Sequence, residues 1–237
     1  MAAPRLLIAF LVFLALGRLV AADSPTSRPT LTAGEKQEGW ILLFDGVSTE
    51  GWRGLGAESF PKDHWRVDEG CLHCLGGPGR TNHIITTRKY ENFELSFEWR
   101  VPKAPGNTGV KYRVQETKGD GFAFGPEYQI MWDPGVDDKH ATASLYDVIA
   151  PQNKRLRPID QFNQSRIKVQ GNHVEHWLND VKTVEFDFDS PEVKAAVAQS
   201  KFKDTAWAKK PSGYIALQDH HDEAFFRNIK IRELPVK

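Results

Sequence analysis

Glu127 and Gln129 stand two apart in the run Gly125-Pro126-Glu127-Tyr128-Gln129-Ile130. On an extended chain, residues two apart project from the same face, so a carboxylate and an amide would sit side by side. The carboxylate can take or deliver a proton, and the amide can hold a hydroxyl. Retaining glycoside hydrolysis needs a second carboxyl about 5 Å from the first. The next position on this face is Met131, which can neither attack nor protonate, so an ordinary two-carboxylate glucanase does not fit the strand. A second group of reactive types closes the run Leu217-Gln218-Asp219-His220-His221. Histidine beside carboxylate can ligate a metal or act as a base near neutral pH, and adjacent histidines in a polar loop also fit plain exposure. His176 lies between Val174 and Leu178 and reads as a core or rim histidine. Cys71 and Cys74 frame His73, but no second Cys/His pair follows at zinc-site spacing. On a strand the two thiols face opposite ways, which disfavours a local disulfide, so they read as packing residues. Asn163-Gln164-Ser165 has the form of a glycosylation acceptor.

The elements that must position these groups are strands. In Asn92 to Val101 the residues Phe93, Leu95, Phe97, Trp99 and Val101 form one face, and Glu94, Ser96, Glu98 and Arg100 the other. Such alternation predicts a strand with one face in a core. Val110, Tyr112 and Val114 repeat it, with Lys111 and Arg113 opposite. Glu98, Arg100, Lys111, Arg113, Glu127 and Gln129 therefore fall on non-core faces of consecutive strands. That fits either a solvated outer sheet or a polar face that binds hydroxyls. Further strands are expected at 40–44, 65–67, 71–74, 83–87, 127–132, 166–169, 173–178, 181–188, 213–218 and 225–233. Asn179-Asp180 tolerates positive φ and suits a two-residue hairpin turn. One helix is predicted, with Ser190 as N-cap, Pro191 at its first position and an end near Ser200. Many short strands with one minor helix predict an all-β sandwich.

Arg5, the apolar run Leu6 to Leu16 and the small residues Val20-Ala21-Ala22 have the layout of a secretory signal peptide over residues 1–22. Arg18 cuts the run short of the roughly 20 apolar residues a membrane span needs. The predicted location is thus periplasmic or extracellular. Residues 23–38, rich in Ser, Thr, Pro and charge, read as a flexible leader, and 39–237 as one domain. Lysine plus arginine number 31, equal to aspartate plus glutamate. That balance gives no basic excess for nucleic acid, and no later stretch is apolar enough for a membrane.

Taken in order, these motifs resemble the 3-keto-disaccharide hydrolase domain family. The resemblance is carried by Leu43-Phe44-Asp45-Gly46 with Gly51-Trp52, then Trp65 to Gly70, Asn92 to Leu95 and Glu98-Trp99-Arg100. Gly106 to Val110 with Arg113, Gly125 to Ile130, Leu145-Tyr146-Asp147, His176 to Asn179, Leu217 to His220 and Phe226 to Ile231 complete it. Departures are Asn179-Asp180 where the family has Asn-Gly, His221 where it tends to have Gly, and Met131-Trp132 before Asp133. The family often carries Leu-Asp after Glu-Tyr-Gln-Ile, so the last shift leaves Asp133 with no role carried over from the resemblance.

The resemblance implies a concanavalin A-like jelly-roll β-sandwich. It also implies cleavage of an oxidised, 3-keto di- or oligosaccharide or glycoside by elimination, with or without hydration of the 3-keto-2-hydroxy-glucal. A ketone at C3 acidifies the C2 hydrogen, so a single base suffices, and the developing oxyanion needs a positive partner. A divalent metal ion would suit that second task. On this reading Glu127 and His220 are the catalytic and metal-binding candidates, and Arg113 holds the oxyanion. Glu98, Asn107, Gln129, Tyr146 and Gln218 bind hydroxyls. The competing class is a non-catalytic carbohydrate-binding module, because sandwich folds host lectins as readily as enzymes.

Overall fold

The computed structural model describes residues 28–116 and 124–236. The expected signal peptide lies outside the described residues. Among them, no helix is long and apolar enough to cross a membrane.

Two antiparallel sheets stack face to face. The larger runs in the order β11 (Val181–Asp187), β10 (His173–Leu178), β9 (Asn163–Gln170), β6 (Phe93–Arg100), β13 (Ala224–Glu233), β4 (Cys71–Cys74) and β3 (Trp65–Asp68), with β1 (Ile41–Leu42) also paired to β13. The smaller runs β2 (Trp52–Gly54), β5 (Ile84–Thr86), β12 (Tyr214–Leu217), β7 (Thr108–Val114) and β8 (Glu127–Ile130). This is the expected jelly-roll sandwich. The predicted apolar stripes meet between the layers: Phe93, Leu95, Phe97 and Trp99 from the large sheet against Val110, Tyr112, Tyr128 and Ile215 from the small one, all buried.

The core is not wholly apolar. Trp99 Nε1 donates to Ser165 Oγ at 2.8 Å, Tyr128 OH shares that hydroxyl at 2.8 Å, and Tyr112 OH meets His176 Nε2 at 3.1 Å. His176 is completely buried, and burial lowers its pKa to about 4. It is the core histidine that its apolar neighbours suggest, neutral and bonded through Nε2 to Tyr112, while its Nδ1 is buried without a partner among the described residues. Cys71 and Cys74 are free and buried. Asn163 is 2 % exposed, and its Oδ1 accepts from Arg157 N and Asn179 Nδ2, so this acceptor sequence is closed to a glycan.

Local chemistry sets the remaining elements. Helix α2 (Pro191–Ala198) starts at its N-cap Ser190, whose hydroxyl accepts from Val193 N. Asn179 and Asp180 both take positive φ, 46° and 65°, in the hairpin joining β10 to β11. The leader expectation needs correction over its described part. Helix α1 (Ala33–Gln37) stands there, closed by a Thr32/Glu35 capping box. Glu35 pairs with Lys230, and Glu38 with Arg232 at 2.7 Å, which ties the segment to β13.

Candidate active site

The outer face of the small sheet collects most of the reactive groups. In register, Lys111 of β7 is the partner of Glu127 on β8, and Gly109 the partner of Gln129. Lys111 Nζ reaches Glu127 Oε2 at 3.2 Å, with side-chain exposures of only 14 % and 7 %. The ammonium of Lys111 offsets part of the cost of burying a carboxylate so withdrawn from water. Glu127 leans across β7: a Cβ built on Gly109 would lie 2.5 Å from Glu127 Oε1. The absent side chain at 109 is thus what makes room for the carboxylate.

Amides border this pair. Gln129 Nε2 donates to Asn107 Oδ1 at 3.0 Å, and Asn107 N donates to Asp222 Oδ2 at 2.8 Å. Gln218 N donates to the Gly109 carbonyl at 2.9 Å, and the Gln218 carbonyl accepts from Thr108 Oγ1 at 2.6 Å. The backbone of Gln218 is therefore fixed, while its side-chain Oε1 is buried with no hydrogen-bond partner. A buried orphan acceptor in a native fold calls for an explanation, and a ligand hydroxyl would satisfy it.

His83 enters from the residue before β5. Asp219 N donates to His83 Nδ1 at 3.1 Å, so Nδ1 carries the lone pair and the neutral ring holds its proton on Nε2. Burial pushes the pKa of His83 down to about 4; Lys111 and His220 push the same way, and Asp219 opposes them. The ring is neutral at pH 7 and offers an N–H. Asp219 also accepts from Asn82 N at 2.9 Å and His221 N at 3.1 Å, and meets His64 Nδ1 at 3.1 Å. It is a hub joining two loops.

Tyr146 closes another side. Its backbone N donates to the Glu127 carbonyl at 3.0 Å. The phenol pKa is raised by burial and then by the charges of Glu127 and Asp147. Lys201, just past α2, holds its ammonium 4.2 Å over the Tyr146 ring and donates its backbone N to Asp147 Oδ2 at 2.8 Å. Its pKa is lowered, mainly by partial desolvation, with Glu127 opposing and Lys111 reinforcing the shift.

Of the expected site residues, Glu127, Gln129, Asn107, Gln218 and Tyr146 come together. His220 is exposed on the loop after β12, close enough to His83 to influence its titration. Arg113 and Glu98 stand elsewhere. Arg113 has a φ of 52° where the β7–β12 register shifts, and a bulge of this kind re-aims a side chain. Its Nη2 donates to the Gly171 carbonyl at 2.5 Å, and its guanidinium lies 4.6 Å over the Phe188 ring. Glu98 belongs to the other sheet, accepting from Arg227 Nε at 2.8 Å and Asn228 Nδ2 at 2.9 Å. The polar face expected across consecutive strands is split, because β6 and β7 follow each other in the chain but lie in different layers. Asp133 pairs with Lys154 at 2.8 Å and accepts from Thr142 N at 2.9 Å, a loop-holding role. Sequence reasoning placed Lys111 only on a polar stripe and missed His83 and Lys201 as site residues.

Glu127 and His220 do not fit a divalent ion as they stand, since the charge closest to the carboxylate is an ammonium. Among the described residues, three donor side chains converge within 4.8 Å only at His173, Glu175 and Glu185, and these lie on the large sheet.

Known proteins share this arrangement of chain. A 3-keto-disaccharide hydrolase of Bacteroides thetaiotaomicron is 30 % identical over 83 % of this chain and 79 % of its own. A crystal structure from Parabacteroides distasonis, provisionally assigned as a glycosyl hydrolase, superposes with a TM-score of 0.80 at 30 % identity, covering 88 % of this chain and 100 % of that one. A second structure from the same organism, with the same provisional assignment, gives 0.62 at 26 %, covering 82 % and 99 %. The profile of the 3-keto-alpha-glucoside-1,2-lyase-like domain matches residues 39–232, a span that takes in both sheets and every residue of the cluster around Glu127. With the profile matched over that span and the sandwich shared with these structures, the chain belongs to the 3-keto-alpha-glucoside-1,2-lyase-like domain family.

Proposed function

We propose that this chain is a carbohydrate-active enzyme that cleaves glycosides bearing a ketone at C3, with Glu127 as the base. The observation that carries the reading is one withdrawn carboxylate, seated over Gly109 and held by Lys111, with no second carboxylate at the next position of its strand. A single base is what the chemistry of a 3-keto sugar requires.

Glu127 takes the proton from C2, and the electron pair moves through the C2–C3 bond to the C3 oxygen. Lys111 and the Nε2–H of neutral His83 are the donors that meet the developing oxyanion. The enolate then re-forms the ketone, places a double bond between C1 and C2 and expels the C1 substituent. The departing oxygen takes up a proton, for which protonated Glu127 is the donor at hand. Addition of water across C1 and C2 reverses the same steps and yields the free 3-keto sugar. Elimination followed by hydration therefore sums to hydrolysis. On this account one site reconciles the lyase in the family's description with the hydrolase in the relative's name. Asn107, Gln129, Tyr146 and Gln218, with His220 at the rim, are the hydroxyl-binding groups. No step passes through a metal.

The test is incubation of the protein with a 3-keto-glucoside and with its unoxidised parent, products followed by mass spectrometry. Release of aglycone from the keto sugar alone is expected, unchanged by chelator. Glu127→Gln should slow release by about a hundredfold or more without altering the fold. Release from the parent glycoside would contradict the mechanism. Sugar binding without any release would place the chain among binding modules.

A further inference from the structure

Strands β10 and β11 end the large sheet, and their outer face carries the one convergence of metal-ligating side chains among the described residues. Along β10, His173, Glu175 and Trp177 alternate with the buried Val174, His176 and Leu178, so the first three point outward together. In register, Glu175 faces Glu185 on β11, and His173 faces Asp187. One imidazole nitrogen of His173 and one oxygen from each of Glu175 and Glu185 lie within 4.8 Å of one another. Two positions i and i+2 on one strand, with one on its neighbour, thus bring three ligand atoms to one side of a small ion. The strand ladder fixes the backbone beneath them.

Each of the three ligands is held by its other polar atom. His173 Nδ1 donates to Asp187 Oδ1 at 3.2 Å, which in the neutral ring leaves the lone pair on Nε2. That Nε2 lies 3.5 Å from Glu175 Oε1 and 3.3 Å from Glu185 Oε1. Glu175 Oε2 accepts from Trp177 Nε1 at 2.8 Å, and Glu185 Oε2 accepts from Lys182 Nζ. The outer atoms are engaged, and the inner three face one another. A metal-bound histidine gives its second N–H to a carboxylate or carbonyl, and ligating carboxylates are themselves hydrogen-bonded. These three residues meet that pattern as they stand. Charge points the same way, because carboxylates directly opposed on paired strands repel. Lys182 and Lys168, the latter 3.6 Å from Glu175 Oε1, offset two of the three charges of Glu175, Glu185 and Asp187. With His173 neutral, one negative charge is left for a cation to meet. One imidazole nitrogen with two carboxylate oxygens suits Zn²⁺, whereas Ca²⁺ and Mg²⁺ take oxygen ligands alone. His173 and Glu185 are 32 % and 46 % exposed at their side chains, which leaves water to complete the coordination.

We propose that His173, Glu175 and Glu185 form a Zn²⁺ site that ties the edge strand β11 to β10, in the other sheet from the Glu127 cluster. Its role is structural, and it does not depend on the elimination mechanism.

The probe is Zn²⁺, titrated calorimetrically into chelator-washed protein about one pH unit above the ordinary imidazole value. Saturable binding of one ion per chain is expected. Long-range ¹H–¹⁵N spectra should show His173 metallated on Nε2 while Nδ1 keeps its proton, and the thermal midpoint should rise with Zn²⁺ concentration. His173→Gln and Glu185→Gln should each weaken binding by roughly tenfold or more, and Asp187→Asn by about tenfold through the loosened hold on His173. Glu127→Gln should bind as the parent does. Glu185→Gln changes an exposed side chain and serves if His173→Gln does not fold. The proposal fails if no Zn²⁺ is taken up at millimolar concentration, if Ca²⁺ or Mg²⁺ competes on equal terms, or if the folded ligand variants bind normally. Loss of binding in Glu127→Gln alone would place the ion at the other site. Aglycone release from a 3-keto-glucoside is expected at one rate with and without Zn²⁺, which keeps failure here separate from failure of the elimination reading. A rate that followed Zn²⁺ occupancy would overturn the structural role.

Discussion

Glu127 owes its position to a neighbour with no side chain. Gly109→Ala would set a methyl group 2.5 Å from Glu127 Oε1, closer than any contact can be held, and the carboxylate would swing away from Lys111. A shift of about 1 Å in a reacting group can cost about a hundredfold in rate. Gly109→Ala is therefore expected to lose roughly that factor in aglycone release while its thermal midpoint moves little, a combination read from turnover and melting curves on the same sample. Preserved turnover would show that Glu127 is not the group that reacts. Period-two alternation makes Glu127, Gln129 and Lys111 legible in the sequence as one polar stripe, since a strand fixes side-chain direction by count alone. His83 is not legible in this way. Its tautomer and neutrality come from the backbone N–H of Asp219, 136 residues further on, and from burial that only the folded chain creates. Arg113 misleads for the opposite reason: the count puts it beside Lys111, and the positive φ at the bulge rotates it out.

Elements show the same division between local and distant causes. Ser190-Pro191 announces α2 because capping is chemistry among near neighbours, and the capping box of α1 was equally present in Thr32 and Glu35. The short, charged α1 was hidden by composition, and its anchorage to Lys230 and Arg232 is a tertiary fact. The β10–β11 hairpin separates backbone from side chain at adjacent positions. Asp180 holds a φ of 65° with no side-chain bond to another described residue, whereas Asn179 accepts from Gln164 N at 2.9 Å and donates to Arg155 O and Asn163 Oδ1 at 2.8 Å each. Asp180→Gly should therefore raise stability by up to about 1 kcal/mol, as left-handed backbone is relieved. Asn179→Gly should lower it by about 2 kcal/mol, since three bonds vanish and Asn163 loses a partner in the interior. Urea unfolding of the two variants beside the parent distinguishes the cases, and equal shifts would mean that the turn's backbone alone sets the hairpin.

For the whole molecule, the two buried histidines make acid the natural solvent of unfolding. His83 stands on the outer face of the small sheet and His176 between the layers, and burial lowers both to about 4 from an ordinary value near 6.5. Above pH 6.5 both rings are neutral in either state and contribute no pH dependence. Between about 6.5 and 4 the unfolded chain binds protons that the folded chain refuses, so stability falls as pH falls, by at most about 1.4 kcal/mol per pH unit for each histidine. Below about 4 the folded rings protonate too, and this contribution levels off. Unfolding midpoints in urea should decline steadily from pH 6.5 to pH 4.5. His176 is the ring to remove for the test, because it stands clear of the candidate site and keeps one bond, to Tyr112. His176→Gln retains a polar partner for that hydroxyl, and its stability should fall roughly half as steeply over the same range, whatever its midpoint at neutral pH. A slope equal to the parent's would mean that His176 is already protonated inside the core. The neutral Tyr112–His176 bond would then have to be redrawn, and with it the account of how two sheets pack around a polar centre without charge.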